Sequence, residues 1–277
     1  MSIKMSDRLA LHTWSLDTTP LADALRAARD GGWNAVELRR IDFTRCFDNG
    51  LSNEQVLALV RESGMKVAVL GTEYGLIFSK GDESRRLFGV LEETCRNAKA
   101  LGCDMIMIAP GQNSGTIKEA AANFRSAGET VSAHGLRIAL EFNSGHDVIN
   151  GLEPAREVIA LAGHPSAGLL LDAYHLERTG GGGRGFEDVA PEEIFTFQFS
   201  DVPHGPQSTE KRPTDRLVPG EGRVRWDDVF QLLAEKGYGG YLSYEAPNPV
   251  YWSRPPAEVA REAAAASRKL LATVSGV

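Results

Sequence analysis

Residues 168–175 read Gly-Leu-Leu-Leu-Asp-Ala-Tyr-His, an apolar run closed by an acid, with a histidine three residues further on. A strand apolar on both faces has both faces covered, as in a parallel sheet flanked by helices. Gly168–Asp172 is therefore read as a strand, and three neighbours repeat its form. Ile138–Phe142 carries Glu141 near its end, Phe195–Phe199 carries Gln198, and Tyr241–Tyr244 runs into Glu245. Working outward, Leu9–Thr13, Ala35–Leu38, Lys66–Leu70 and Met105–Ala109 are the strands of the first half.

Helical stretches separate these strands. One starts near Pro20, with Leu21, Ala24, Leu25 and Ala28 at helical spacing before Gly31-Gly32. Others cover Ser52–Ser63, with Ser52 as N-cap, about Asp82 to Leu101, Thr116–Ala133 and Leu152–Ala162. A short helix is expected near Pro191, another from Trp226 to before Gly237, and an alanine-rich one over Pro256–Val274. Strictly alternating strands and helices imply a parallel sheet. Eight units in 277 residues predict an α/β fold, one (β/α)₈ TIM barrel spanning residues 1–277, with no boundary for a second domain.

Composition narrows the function. Lys and Arg number 30 against 37 Asp and Glu, a formal charge of −7, which opposes a broad charge-driven nucleic-acid or membrane surface. No apolar run approaches the ~20 residues of a membrane helix, and Met1–Arg8 lacks the apolar core of a secretory signal. Cys46, Cys95 and Cys103 are too scattered for a disulfide framework. The chain reads as cytoplasmic, with no nucleic acid and no membrane as partner.

Active sites of such barrels form where the strands end. Glu141, Asp172, Gln198 and Glu245 each place an oxygen there, on four consecutive strands. Three carboxylates converging on one rim repel unless something neutralises them. An Arg or Lys beside each acid would do so separately; one divalent cation would serve all of them. An all-oxygen set suits Mn²⁺ or Mg²⁺ better than Zn²⁺.

With these residues in place, the chain resembles the xylose isomerase-like TIM-barrel superfamily, the sugar phosphate isomerase/epimerase group. The resemblance covers nearly the whole chain and rests on Glu141, Leu-Asp-Ala-Tyr-His at 171–175, Pro-Gly-Glu-Gly at 219–222 followed by Trp226, and Ser-Tyr-Glu at 243–245. It implies one divalent metal held by Glu141, Asp172, Gln198 and Glu245, with Glu141 and Glu245 as catalytic residues on opposite sides of a small polyhydroxy substrate. It also implies substrate contacts from His175 and Arg216. The chemistry is then proton abstraction α to a carbonyl, with the metal stabilising the developing enediolate. Relatives of this kind often form dimers or tetramers, so a homo-oligomer is compatible; Tyr251 and Trp252 are candidates for a subunit contact or an apolar wall over the substrate.

Gln198 stands where many epimerases of the group have histidine. Glutamine there, with a histidine soon after the strand-five glutamate, also resembles 3-dehydroshikimate dehydratase, and Gly145-His146 follows Glu141. The alternative activity is thus a lyase of the dehydroshikimate or inosose dehydratase kind, with His146 at the leaving hydroxyl. His12, Glu37 and Glu73 lie on the same rim, as substrate contacts or structural hydrogen-bond partners. Arg39 and Arg40 could meet an anion, although consecutive strand residues face opposite ways. Gly180–Gly183 lacks the spacing of a P-loop or dinucleotide fingerprint and reads as a mobile loop or lid. Endonuclease IV shares the barrel, but six histidines and an acidic balance fit neither its histidine-rich three-metal site nor a DNA track. A non-catalytic sugar-binding barrel is the remaining alternative.

Overall fold

The computed structural model describes residues 4–273. Eight strands pair in parallel, each with the next and β8 with β1, closing a barrel. They are β1 Leu9–His12, β2 Ala35–Leu38, β3 Lys66–Gly71, β4 Met105–Ile108, β5 Arg137–Glu141, β6 Ala167–Asp172, β7 Ile194–Phe199 and β8 Leu242–Tyr244. The helices are α1 Leu21–Asp30, α2 Arg40–Asp48, α3 Asn53–Glu62, α4 Gly81–Ala100, α5 Ile117–Ala133, α6 Leu152–Ala162, α7 Ala173–Arg178, α8 Trp226–Glu235, α9 Pro249–Trp252 and α10 Pro256–Leu271.

The expected strands all form, with ends shifted by a residue or so. Ser52 caps α3 through a reciprocal pair with Gln55, and Thr116 does the same for α5 with Glu119. α10 ends at Leu271, short of the expected end, with Ala272 and Thr273 in a turn; Val274 lies outside the described residues. α2, α7 and α9 were not anticipated. Near Pro191 the chain makes only a three-residue 3₁₀ turn, Pro191–Glu193. α2 also corrects the placement of Arg39 and Arg40: β2 stops at Leu38, Arg39 precedes the helix and Arg40 opens it. Among the described residues, no helix is long and apolar enough to cross a membrane.

Strand alternation sets the layers. Inside the barrel lie mostly small or flexible side chains, among them Ala10, Ala35, Val69, Met107, Ala139 and Leu170. Two residues further along their strands, Ala10, Ala35, Ala139 and Leu170 are succeeded on the same face by His12, Glu37, Glu141 and Asp172. The small lower layer thus lets polar side chains sit deep at the mouth. An extra residue in β7, Phe195, shifts the β6–β7 register so that Gln198 stands opposite Asp172. Behind β7 and β8, Phe199 meets Trp226, Phe230 and Tyr244 at ring-centroid distances of 6.0, 6.2 and 5.9 Å. Aromatic pairs add about 0.5–1.5 kcal/mol each beyond their burial. That cluster fixes the two strands that deliver Gln198 and Glu245.

Candidate active site

The mouth brings four buried carboxylates, Glu37, Glu141, Asp172 and Glu245, around one buried guanidinium, Arg216. Arg216 Nη1 donates to Asp172 Oδ2 at 2.7 Å and to Glu245 Oε2 at 2.8 Å, and Nη2 lies 3.2 Å from His175 Nε2. The pairing of an acid with a nearby Arg is therefore realised at Asp172 and Glu245. One cation does not balance four acids. Burial, reinforced by Glu245 and Asp172, holds the Glu141 carboxyl well above the usual carboxylate range. Burial pushes Asp172 up to about 6 against the pull of Arg216, and pushes Glu37, with Glu245 adding to it, up to about 8.

Glu141, Asp172 and His175 each present a ligand atom, all within 4.8 Å of one another, a grouping that can hold a metal ion. His175 Nε2 is 3.7 Å from Glu141 Oε1 and 3.8 Å from Asp172 Oδ2. Gln198 offers a further oxygen. Its Nε2 donates to Glu37 Oε1 at 2.9 Å, which leaves Oε1 buried with no partner. An orphaned acceptor beside excess negative charge suits a cation, so the donor set fits a divalent ion. Glu245 stands slightly apart: its Oε1 faces His12 Nε2 at 3.3 Å while its Oε2 is taken by Arg216.

His12 is oriented by its other nitrogen, since Nδ1 accepts from Trp14 N at 3.1 Å and leaves Nε2 without a hydrogen-bond partner, 3.3 Å from Glu245 Oε1 and 3.7 Å from Glu37 Oε1. Burial and then Arg39 hold its pKa well below the ordinary histidine value, so the ring is neutral. His175 is likewise kept neutral by burial and Arg216. His146 lines the same cavity, with both ring nitrogens engaged by backbone: Nδ1 accepts from Val148 N and Ile149 N, and Nε2 bonds Asn113 O at 2.9 Å. Its ring stacks on Phe78.

Asp201 is the residue that sequence reasoning passed over. Its Oδ1 accepts from Val202 N and Val224 N, and its Oδ2 from Gly220 N and Trp226 Nε1, all at 2.8–2.9 Å. This explains Pro-Gly-Glu-Gly and Trp226 physically, because they wrap a buried carboxylate at the end of β7. A Cβ on Gly222 would collide with Val202 O. The wrapped loop is the one that carries Arg216.

The other rim candidates are committed elsewhere. Arg39 is tied to Thr13, Asp17 and Asp42, Arg40 to Glu93, and Glu73 to Arg86. Tyr251 OH accepts from Val218 N and Trp252 Nε1 donates to Trp14 O, so both brace loops around the mouth. Gly180–Gly183 follows α7 and is held by Arg225, which donates to Gly182 O. Two cavities open at the mouth. One of about 330 Å³ is lined by Glu141, His175, Arg216 and Glu245; the other, about 450 Å³, adjoins it and is lined by Arg39, Arg40 and Arg45.

A closed parallel barrel with buried acids gathered at the strand ends defines a (β/α)₈ barrel whose polar site lies at its mouth. The family model described as xylose isomerase-like TIM barrel matches residues 25–270, and the chain belongs to that family. It is 24% identical over 250 residues to an inosose isomerase of Halalkalibacterium halodurans, covering 86% of each chain. It is 25% identical over 257 residues to a 3-dehydroshikimate dehydratase of Pseudomonas aeruginosa; the match takes in 89% of this chain but spans 39% of that protein. In fold it is similar to a crystal structure of IolI protein with a bound zinc atom, with a TM-score of 0.86, 19% identity, and coverage of 98% of this chain and 100% of that one.

Proposed function

We propose that the protein, with residues 1–277 acting as one domain, is a divalent-metal-dependent isomerase or epimerase of a sugar or related polyhydroxy ketone. The observation that carries this reading is the excess of buried carboxylates over cations beside the orphaned Gln198 oxygen. Glu141, Asp172, Gln198 and Glu245 would hold the ion, with His175 close enough to join them, and the predominance of oxygen donors favours Mn²⁺ or Mg²⁺ over Zn²⁺. Once bound, it would supply Lewis-acid stabilisation of charge developing on a carbonyl oxygen.

The chain's own residues then divide the work. Glu141, its carboxyl raised by burial, is suited to take a proton from the carbon α to the carbonyl. Glu245, on the opposite side of the substrate, supplies a proton of its own and is left ionised, 3.3 Å from His12 Nε2, while Glu141 keeps the proton it took; exchange with solvent resets both carboxyls. His175 is neutral and faces the cavity, so it orients a substrate oxygen by hydrogen bonding. Arg216 holds Asp172 and Glu245 apart and polarises whatever oxygen enters between them.

The dehydratase reading shares the first proton transfer and has support from Gln198 and the dehydratase relative. It needs a proton donor at the departing hydroxyl. His146 has neither nitrogen free, which favours the isomerase. The test is the metal content of protein purified without chelator, followed by proton NMR in D₂O with Mn²⁺ supplied. Deuterium entering α to the carbonyl of inosose or a keto sugar supports the isomerase. A new vinylic or aromatic signal from 3-dehydroshikimate supports the lyase. Protein that takes up no Mn²⁺ overturns both.

A further inference from the structure

The two cavities meet at three side chains, Trp14, Tyr74 and Arg212, which line both. Arg212 Cζ lies 4.0 Å from the centroid of the Trp14 ring and 5.2 Å from that of Tyr74. Contact with two aromatic rings positions a guanidinium without consuming the N–H donors at its edge. The residue is exposed at the mouth, where a ligand reaches it.

The other cations around these cavities are already matched. Arg39 pairs with Asp17 and Asp42, Arg40 with Glu93, Arg45 with Asp17, Lys211 with Asp147, and Arg216 with Asp172 and Glu245. Arg212 makes no hydrogen bond or ion pair among the described residues. Its place relative to the reacting groups follows from Trp14. Arg216 Cζ is 6.0 Å from the same ring centroid to which Arg212 Cζ is 4.0 Å, so the two guanidinium carbons are at most about 10 Å apart. A small sugar acid spans that distance.

From this juxtaposition we infer that Arg212 binds a carboxylate of the substrate, and that the substrate is an acidic polyhydroxy ketone rather than a neutral sugar. The inference rests on the proposed function for what happens at the other end of the molecule. Two physical points favour a carboxylate. The planar fork of one guanidinium pairs a carboxylate through two parallel N–H···O bonds; it pairs a phosphate in the same way, but the second negative charge of a phosphate dianion would meet no further uncommitted cation among the described residues lining these cavities. The acids at the barrel mouth also repel any anionic substrate, so only a cation facing its charged end makes that substrate welcome.

The test uses three ligands with one carbon skeleton: 2-oxotetronate, erythrulose, in which a hydroxymethyl replaces the carboxylate, and erythrulose 1-phosphate. Titration calorimetry of the Mn²⁺-supplied protein should show 2-oxotetronate binding at least tenfold more tightly than erythrulose. R212Q should reduce that ratio to threefold or less, and R212K should retain part of it, with thermal melts of both variants checking the fold. A wild-type ratio below threefold, a ratio unchanged in R212Q, tighter binding of the phosphate than of the acid, or no binding of any of the three overturns the inference. Deuterium exchange at the carbon α to the ketone, followed by NMR, reads the proposed function separately. Selective binding of the acid without exchange would remove the proton-transfer reading and keep Arg212 as a carboxylate site. Exchange in erythrulose but not in 2-oxotetronate would do the reverse.

Discussion

Around the mouth of the barrel, the rim built from β5 to β8 gathers Glu141, Asp172 and Glu245 about one guanidinium, whereas the rim from β1 to β4 surrounds Arg39, Arg40 and Arg45 with Asp17, Asp42 and Glu93. The first region is left with charge to be neutralised by something that binds; the second is balanced within itself. Unbalanced buried charge costs folding free energy and is kept where chemistry needs it. Balanced pairs hold a wall in place. Glu37 is the exception that joins the two, since it springs from β2 yet bonds Gln198 on β7.

The largest effect should follow from neutralising the unbalanced rim. E141Q and E245Q should each lower the α-proton exchange rate by at least about 10³-fold while melting within a few degrees of wild type; a rate within tenfold of wild type in either would end the two-glutamate mechanism. D201A should come next. It strands four N–H donors, three of them buried, and with a desolvation penalty of about 1–3 kcal/mol for a stranded buried group the loss in unfolding free energy should reach about 3 kcal/mol, read by urea denaturation. A loss under 1 kcal/mol would mean the loop stands without it.

Glu37→Leu tests the link between the rims. With nothing to accept from Gln198 Nε2, the amide loses its orientation, and Mn²⁺ affinity should fall about 10- to 100-fold by titration, the usual effect of removing a partner that orients a ligand. Unchanged affinity would take Gln198 out of the donor set. The smallest effect belongs to the balanced rim. Arg45 and Arg39 together hold the Asp17 carboxyl below its ordinary value despite its partial burial. A folded pKa lower than the unfolded value of about 3.9 gives stability that is present above that pH and lost as pH falls through the folded pKa. D17N should therefore cost about 1 kcal/mol at pH 7, with the difference from wild type shrinking below pH 4. A difference that stays constant between pH 7 and pH 3 would show that the charge is irrelevant.

What the sequence reveals of all this divides along physical lines. The strands are legible because each is buried on both faces and so runs almost wholly apolar, and Glu141, Asp172, Gln198 and Glu245 stand out as polar residues interrupting such runs. α2 was missed because Arg-Ile-Asp-Phe-Thr-Arg-Cys-Phe-Asp alternates apolar and polar as a strand edge would, and only the pairing of Arg39 with Asp42 marks the helix start. Asp201 could have been suspected from an acid close after a buried strand, but three of its four donors lie 19–25 residues downstream, across an irregular loop. His146 shows the opposite limit. Residue type and position suit catalysis, yet backbone N–H groups that no sequence motif announces have claimed its ring. Arg212 sits in a polar stretch without periodicity, and the ring that seats it comes from the other end of the chain.

The four-donor embrace of Asp201 also fixes the tempo of the site. Because Gly220, Val224 and Trp226 are pinned to the end of β7, the backbone around Arg216 has no cheap way to swing as a loop. Freeing Asp172 and Glu245 for another partner then requires the buried Arg216 side chain itself to turn, and not the loop that carries it. Admission to these acids is a matter of one side chain, and the fold itself can stay still while it happens.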